Sequence, residues 1–439
     1  MSSPSAYAPS LAHRRIRVRW NIFALLFGIG VLFYVQQRSL AVASYRMMPE
    51  LGLSQMQIGW LEWAFILGYT LLQCPGGVLG QRLGARLSVT LITLLALIAM
   101  MATPLAPLAL TGTTLLAGLL ALQALLGSAQ SPIFPISAGV FEVWFPAQQW
   151  PLVQGLQSMG LGFGAALTPP LIAWLMSSFG WQRALVWSSL PAVGLIALWA
   201  WYGRNRPAEH AGVGARELAE LGPQANARVD ATISWQRIWA LLTNRDILVL
   251  TFSYMCMNYV FYLLGNWVFL YLAQERHFTV MQSGWLAGIP PLAAAVGAGA
   301  GGAGASLLCK RYGVRWGLHV IPLASLPAAA LLLCAGAYAS NGYLAVAALS
   351  FCYGFVELNE GSYWAAAMHV ARSDTMAATG IVNTGGNVGG LIATPVVAYL
   401  SGHQAWTLAF VLGAGFAVAA GAAWLLVDTT RHADREAPG

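Results

Sequence analysis

Long apolar runs, each ended by charge, by a Pro/Gly cluster or by a short polar turn, follow one another along almost the whole chain. They place membrane spans near 21–45, 57–80, 87–108, 112–142, 151–178, 182–202, 247–273, 284–308, 318–338, 342–370, 376–400 and 404–427. A helix that crosses a hydrocarbon core takes about 20 apolar residues, and each run supplies them. The pattern predicts an all-α membrane protein with twelve transmembrane helices. The polar stretch Gly203–Asp246 stands apart, being too short to build a core of its own. It reads as a linker between two six-helix halves, with Trp235–Leu242 as an amphipathic helix on the membrane surface. The expected division is an N-terminal tail over 1–20, a first half over 21–202, a linker over 203–246, a second half over 247–427 and a C-terminal tail over 428–439.

Composition agrees with the pattern. Of the 439 residues, 58% are hydrophobic and 8% charged, whereas soluble domains carry roughly 25% charged residues. The basic residues then orient the chain. Loops assigned to the cytoplasm hold Arg14, Arg15, Arg17, Arg19, Arg82, Arg86, Arg204, Arg206, Arg216, Arg228, Arg237, Arg245, Lys310, Arg311, Arg315, Arg372, Arg431 and Arg435, against Arg46, Arg183 and Arg276 outside. Both termini are therefore expected in the cytoplasm by the positive-inside rule. The net charge of +7 marks orientation rather than nucleic-acid binding, since the arginines flank apolar spans. Met1–Arg19 is polar and basic and no small-residue cleavage site follows it, so the first span is expected to be retained. The five cysteines lack metal-like spacing and read as packing residues. No metal-spaced His/Cys cluster, phosphate-binding loop or nucleophile–base set appears, so the sequence points away from an enzyme and calls for no cofactor.

An internal repeat supports the two halves. Gly77-Val-Leu-Gly-Gln-Arg82-Leu-Gly84-Ala-Arg86 after the second span is echoed by Ser306-Leu-Leu-Cys-Lys-Arg311-Tyr-Gly313-Val-Arg315 after the eighth. Both contain Arg-x-Gly-x-Arg, in which glycine permits a tight turn and the arginines can meet carbonyl ends of neighbouring helices. At these residues the chain resembles the major facilitator superfamily, whose loop signature has the form G-x-L-x-D-R-x-G-x-R, with Gln81 replacing the usual acid. Tyr34-Val-Gln-Gln-Arg-Ser-Leu-Ala-Val-Ala-Ser44, Gln73-Cys-Pro-Gly-Gly77, Phe134-Pro135, Trp144-Phe145-Pro146, Thr168-Pro-Pro-Leu171, Gly180-Trp181 and Asn383-Thr-Gly-Gly-Asn-Val-Gly-Gly390 are similar to the anion:cation symporter family, which includes hexuronate, galactonate and glucarate transporters. The resemblance implies the major facilitator fold, a small-molecule substrate, a lipid bilayer as surroundings and a bacterial inner-membrane location. A monomer is expected.

The departures bear on mechanism. The family's Asp and Arg of the first span fall on Gln36 and Gln37, and its Arg and Glu of the fourth span fall on Gln123 and Gln130. A carboxamide does not titrate, so a proton relay cannot run through these four positions.

Substrate sites of such carriers lie near the bilayer midplane between the halves. Arg38, inside the first span, is the clearest candidate; pairing with Glu62 or snorkelling outward are the competing readings. Tyr34 shares its face one helical turn earlier. Gln37, Gln123 and Gln130 offer neutral donors and acceptors, or tie helices together. Asn258, Tyr259, Tyr262 and Asn266 form a stripe in the seventh span that reads as cavity lining or as packing. Asn383 and Asn387 stand four apart among glycines, consistent with close helix approach and two amides aimed inward. Glu357 and Glu360, three apart in the tenth span, are the candidates for coupling a proton or other cation, with a fixed counter-ion for Arg38 or His369 as the alternative; Asn359 and Trp364 could contact ligand. His319 and His369 are expected to be solvated and are given no role.

The leading expectation is a secondary transporter of a small organic anion or carboxylate-bearing metabolite, working by alternating access and coupled to protons or another cation. The alternatives are a proton-independent facilitator or exchanger for a larger neutral or zwitterionic compound, such as a peptide-like metabolite or metal chelate, and a non-transporting membrane sensor.

Overall fold

A computed structural model describes residues 18–221 and 234–430. Arg14, Arg15, Arg17, Arg228, Arg431 and Arg435, with most of the two tails and the middle of the linker, lie outside the described residues. Within them the chain forms helices joined by short turns. The spans are α1 (Val18–Leu51), α2 (Gln55–Leu83), α3 (Ala85–Ala109), α4 (Gly112–Trp144), α5 (150–179), α6 (181–202), α7 (Arg245–Gln274), α8 (280–312), α9 (314–338), α10 (Gly342–Ala371), α11 (Thr375–Gly402) and α12 (Trp406–Ala423). Nine helical stretches among the described residues are long and apolar enough to cross a membrane. Two of these bend at a glycine into two spans each, and the more polar α2 makes the twelfth. Most helices run a few residues past the apolar stretches, since a helix continues beyond the part that needs hydrocarbon.

The repeat is visible in the backbone. Gly84 (φ 80°, ψ 153°) and Gly313 (φ 82°, ψ 167°) hold nearly the same conformation at matching positions of the two Arg-x-Gly-x-Arg copies. That region is open almost only to glycine, and it turns the chain between antiparallel spans without a longer loop. Arg86 Nε then donates to the carbonyl of Ala200 near the end of α6 at 3.0 Å, which satisfies a terminal carbonyl.

The halves meet on the face that carries the linker. Across that seam Ser306 Oγ donates to the Gln148 carbonyl at 2.5 Å, the rings of Trp150 and His369 lie 4.6 Å apart, and Gln81 Nε2 donates to Asp374 Oδ1 at 2.8 Å. The linker contributes as well. Its helix Trp235–Thr243 is capped by Ser234, buries Ile238 and Leu241, and leaves Trp235 and Trp239 outward. Arg237 of this helix pairs with Asp374 at 2.9 Å. The amide at Gln81, where the resembled signature has an acid, thus meets an acid supplied by the other half.

His319 departs from expectation. It is buried, with Nε2 3.0 Å from the Val427 carbonyl, so it joins the start of α9 to the segment after α12 rather than facing water.

The seam depends on small residues. A Cβ added to Gly155 in α5 would lie 2.4 Å from the Ala298 carbonyl oxygen and 2.8 Å from Gly302 Cα in α8, well inside van der Waals contact. Gly155→Val should therefore wedge the seam apart. In a cysteine-free background carrying Leu161→Cys, labelling by an impermeant thiol reagent from the linker side should rise several-fold; unchanged labelling would show that the seam does not depend on this approach.

Candidate functional site

Between the halves lies a cavity of about 540 Å³. Its lining extends from mid-span toward the face opposite the linker, and the seam closes it on the linker side. On α1, Tyr34, Gln37 and Arg38 share a face because they are spaced three and four apart, and all three line the cavity. Arg38 is exposed to that space although it sits inside a span. Among the described residues it forms no ion pair. Glu62, on the same wall in α2, is within its electrostatic reach and is likewise exposed. Glu62, Ile66 and Tyr69 repeat the spacing of four and three and line the same side.

The opposite wall is shaped by a break in α10. After Glu357 the helix is interrupted at Leu358 and Asn359 and restarts at Glu360. Asn359 stabilises the interruption: its Nδ2 donates to the carbonyls of Phe355 and Val356, both at 2.9 Å, while its Oδ1 accepts from Ser325 at 2.9 Å. The restart places Glu360 in the first turn of a helix, where the backbone N–H groups favour a carboxylate. Glu360 accepts from Trp364 Nε1 at 2.8 Å, from the Tyr254 hydroxyl at 3.0 Å and from Ser158 Oγ at 3.3 Å. Ser158 belongs to the first half, so this carboxyl ties the halves together at the floor of the cavity. Phe134 of α4 and Trp364 of α10, with ring centroids 5.8 Å apart, extend that floor.

Glu357 is different. It is only 6% exposed, and its Oε1 is buried without a hydrogen-bond partner. Tyr34 is within electrostatic reach of Arg38 on one side and of both glutamates on the other. Amides complete the lining: the Tyr262 hydroxyl donates to Asn387 Oδ1 at 2.8 Å, Asn387 Nδ2 donates to the Asn383 carbonyl at 2.9 Å, and Asn258 Nδ2 donates to the Tyr254 carbonyl at 2.9 Å.

One cavity thus gathers Tyr34, Gln37, Arg38, Asn258, Tyr262, Glu357, Glu360, Trp364, Asn383 and Asn387, together with Asn266 and Glu62. Four expected residues do not line it. Tyr259 is buried against Phe416, rings stacked with centroids 4.1 Å apart, because it stands about 100° around the helix from Asn258. Gln130 donates to Gln36 Oε1 at 2.9 Å, making a buried amide pair between α4 and α1. Gln123 is buried elsewhere in α4, and Asn359 is occupied with the helix break. Tyr69, Ser158 and Phe134 line the cavity without having been singled out as site residues. Tyr69 was within reach of the spacing from Glu62; a lone serine among glycines in α5 carried no signal.

Two six-helix groups around a polar cavity, closed at one face and built on matched glycine turns, define a membrane transporter of the alternating-access type. The chain belongs to the Major Facilitator Superfamily, which it matches over residues 25–374. It is 25% identical over 391 residues to the "Probable sulfoacetate transporter SauU" of Cupriavidus necator, covering 88% of each chain. It is 25% identical over 413 residues to the hexuronate transporter of Bacillus subtilis, covering 90% of this chain and 92% of that one. Both relatives are named as transporters of acidic compounds. The fold is similar to the crystal structure of the fucose:proton symporter FucP of E. coli, with a TM-score of 0.70 at 16% identity over 93% of this chain and 99% of that one. The chain is a multi-pass membrane transporter, not an enzyme.

The clamp on Glu360 can be weighed. Tyr254→Phe removes one donor to a buried carboxyl and should lower stability by about 1–3 kcal/mol, read as a lower unfolding midpoint in detergent. An unchanged midpoint would mean that the Tyr254 bond adds nothing to the floor of the cavity.

Proposed function

We propose that this protein carries a carboxylate-bearing organic metabolite across the membrane by alternating access, with Arg38 as the anchor for the carboxylate. One observation carries the reading: a guanidinium inside a span faces the cavity with no ion pair among the described residues. Such a group is costly in a membrane unless it faces water, a partner or a ligand, and the cavity offers the first and awaits the last. The names of the relatives, transporters of sulfoacetate and of hexuronates, support an acidic substrate.

Tyr34 and Gln37 flank the anchor, and the amides and Tyr262 select the rest of the molecule. A positive charge accompanies the carboxylate to α10, where Glu357 is the receiving group and Glu360 holds the floor. Gln36 and Gln130 form a buried amide pair that does not titrate, so no proton relay runs through these two positions. The linker, 203–246, and both tails, 1–20 and 428–439, face the cytoplasm of a bacterium, the protein works as a monomer in the inner membrane, and the cavity described above faces out.

The test is uptake into proteoliposomes of a hexuronate and of sulfoacetate. Arg38→Gln should lower uptake at least about tenfold, which corresponds to a loss of about 1.4 kcal/mol or more, and should abolish stabilisation by these acids while leaving the ligand-free unfolding midpoint unchanged. Normal uptake by the folded variant would remove Arg38 from the site.

A further inference from the structure

The charges around the cavity are unbalanced in a way that an acid alone does not answer. Among the described residues its lining carries one guanidinium, Arg38, and three carboxyl groups, Glu62, Glu357 and Glu360. Two of the three are accounted for. Glu62 is exposed and within electrostatic reach of Arg38, and Glu360 accepts from Ser158, Tyr254 and Trp364. Glu357 is not accounted for: it lines the cavity, is 6% exposed, and leaves Oε1 without a partner. The titratable groups that face it are Tyr34 from α1, Tyr254 from α7, and Tyr353 and Glu360 from α10. None of these supplies a positive charge. A carboxylate buried without a partner is unfavourable, and a proton or another cation brought to it removes that cost.

Resting on the reading of Arg38 as the carboxylate anchor, we propose that Glu357 receives a positively charged nitrogen of the substrate itself, so that the cavity takes a zwitterion: carboxylate at Arg38, ammonium at Glu357. The two poles sit on opposite halves, α1 and α10, with Tyr34 between them. A substrate bearing both charges bonds both halves at once, whereas an acid alone bonds one. A ligand shifts a conformational equilibrium only by its differential affinity for the two states, and bridging supplies that difference. The substrate's own ammonium then takes the place of a co-transported cation.

Matched probes separate this from the simpler reading. The full-length protein in detergent is titrated with 6-aminohexanoate and alanylalanine, with their N-acetyl forms, which keep the carboxylate and lose the positive charge, and with a hexuronate. The amino forms should stabilise the protein with at least tenfold higher affinity than the N-acetyl forms. Glu357→Gln should erase that ratio, Glu357→Asp should keep it, and Arg38→Gln should abolish binding of every carboxylate. Unliganded unfolding midpoints show which variants are folded. Equal affinity for amino and N-acetyl forms, or a preference that survives in Glu357→Gln, overturns the zwitterion. If the hexuronate binds through Arg38 and the amine adds nothing, the carboxylate reading stands and this one falls. If no carboxylate binds, with or without an amine, both fall.

Discussion

A guanidinium inside a membrane-crossing helix must face water, an acid or a ligand, because hydrocarbon solvates none of its five donors. Arg38 imposes that demand on the whole fold. The helices around it cannot close into a dry bundle; they stand apart toward the face opposite the linker and leave a cavity of about 540 Å³. The closure withheld there is made on the other face, where Gly155 meets Gly302 and Gln81 meets Asp374. An open side and a sealed side around one central charge are what a carrier needs in order to present its site to one compartment at a time.

The second half answers with a broken helix. Backbone groups freed by an interruption at membrane depth must be satisfied within the protein, and Asn359 does this for Phe355 and Val356. Its amide is thereby spent on the backbone, and the break sets two acids in unlike surroundings. Glu360 is held by donors from α5, α7 and α10, while Glu357 keeps an unmatched oxygen. The amide pair of Gln36 and Gln130 gives the first half a link between α1 and α4 that holds geometry without changing charge. The ionisable chemistry of the cavity therefore divides, with the cation on α1 and two of the three acids on α10.

Hydropathy made the twelve spans legible, because hydrocarbon demands the same length of apolar chain each time. The repeated Arg-x-Gly-x-Arg located the matched turns, since only glycine takes the backbone of Gly84 and Gly313 readily. Arg38, Glu357 and Glu360 stood out as charges where charge is costly. Orientation around a helix was harder to read. Asn258 and Tyr259 are neighbours in sequence, and one faces the cavity while the other packs on Phe416. Gln36 and Gln37 divide in the same way, one toward α4 and one toward the cavity. A helix hydrophobic nearly all round gives no amphipathic stripe from which to fix its rotation. Ser158 and Phe134 acquire their places from packing across the halves, which no local spacing encodes.

The most direct measurement is an experimental structure of the full chain with a bound carboxylate, whether a hexuronate or an amino acid-like probe. The account expects the ligand's carboxylate within hydrogen-bond reach of the Arg38 guanidinium, inside the cavity between α1 and α10. A ligand whose carboxylate lies elsewhere while Arg38 is paired with Glu62 would contradict it.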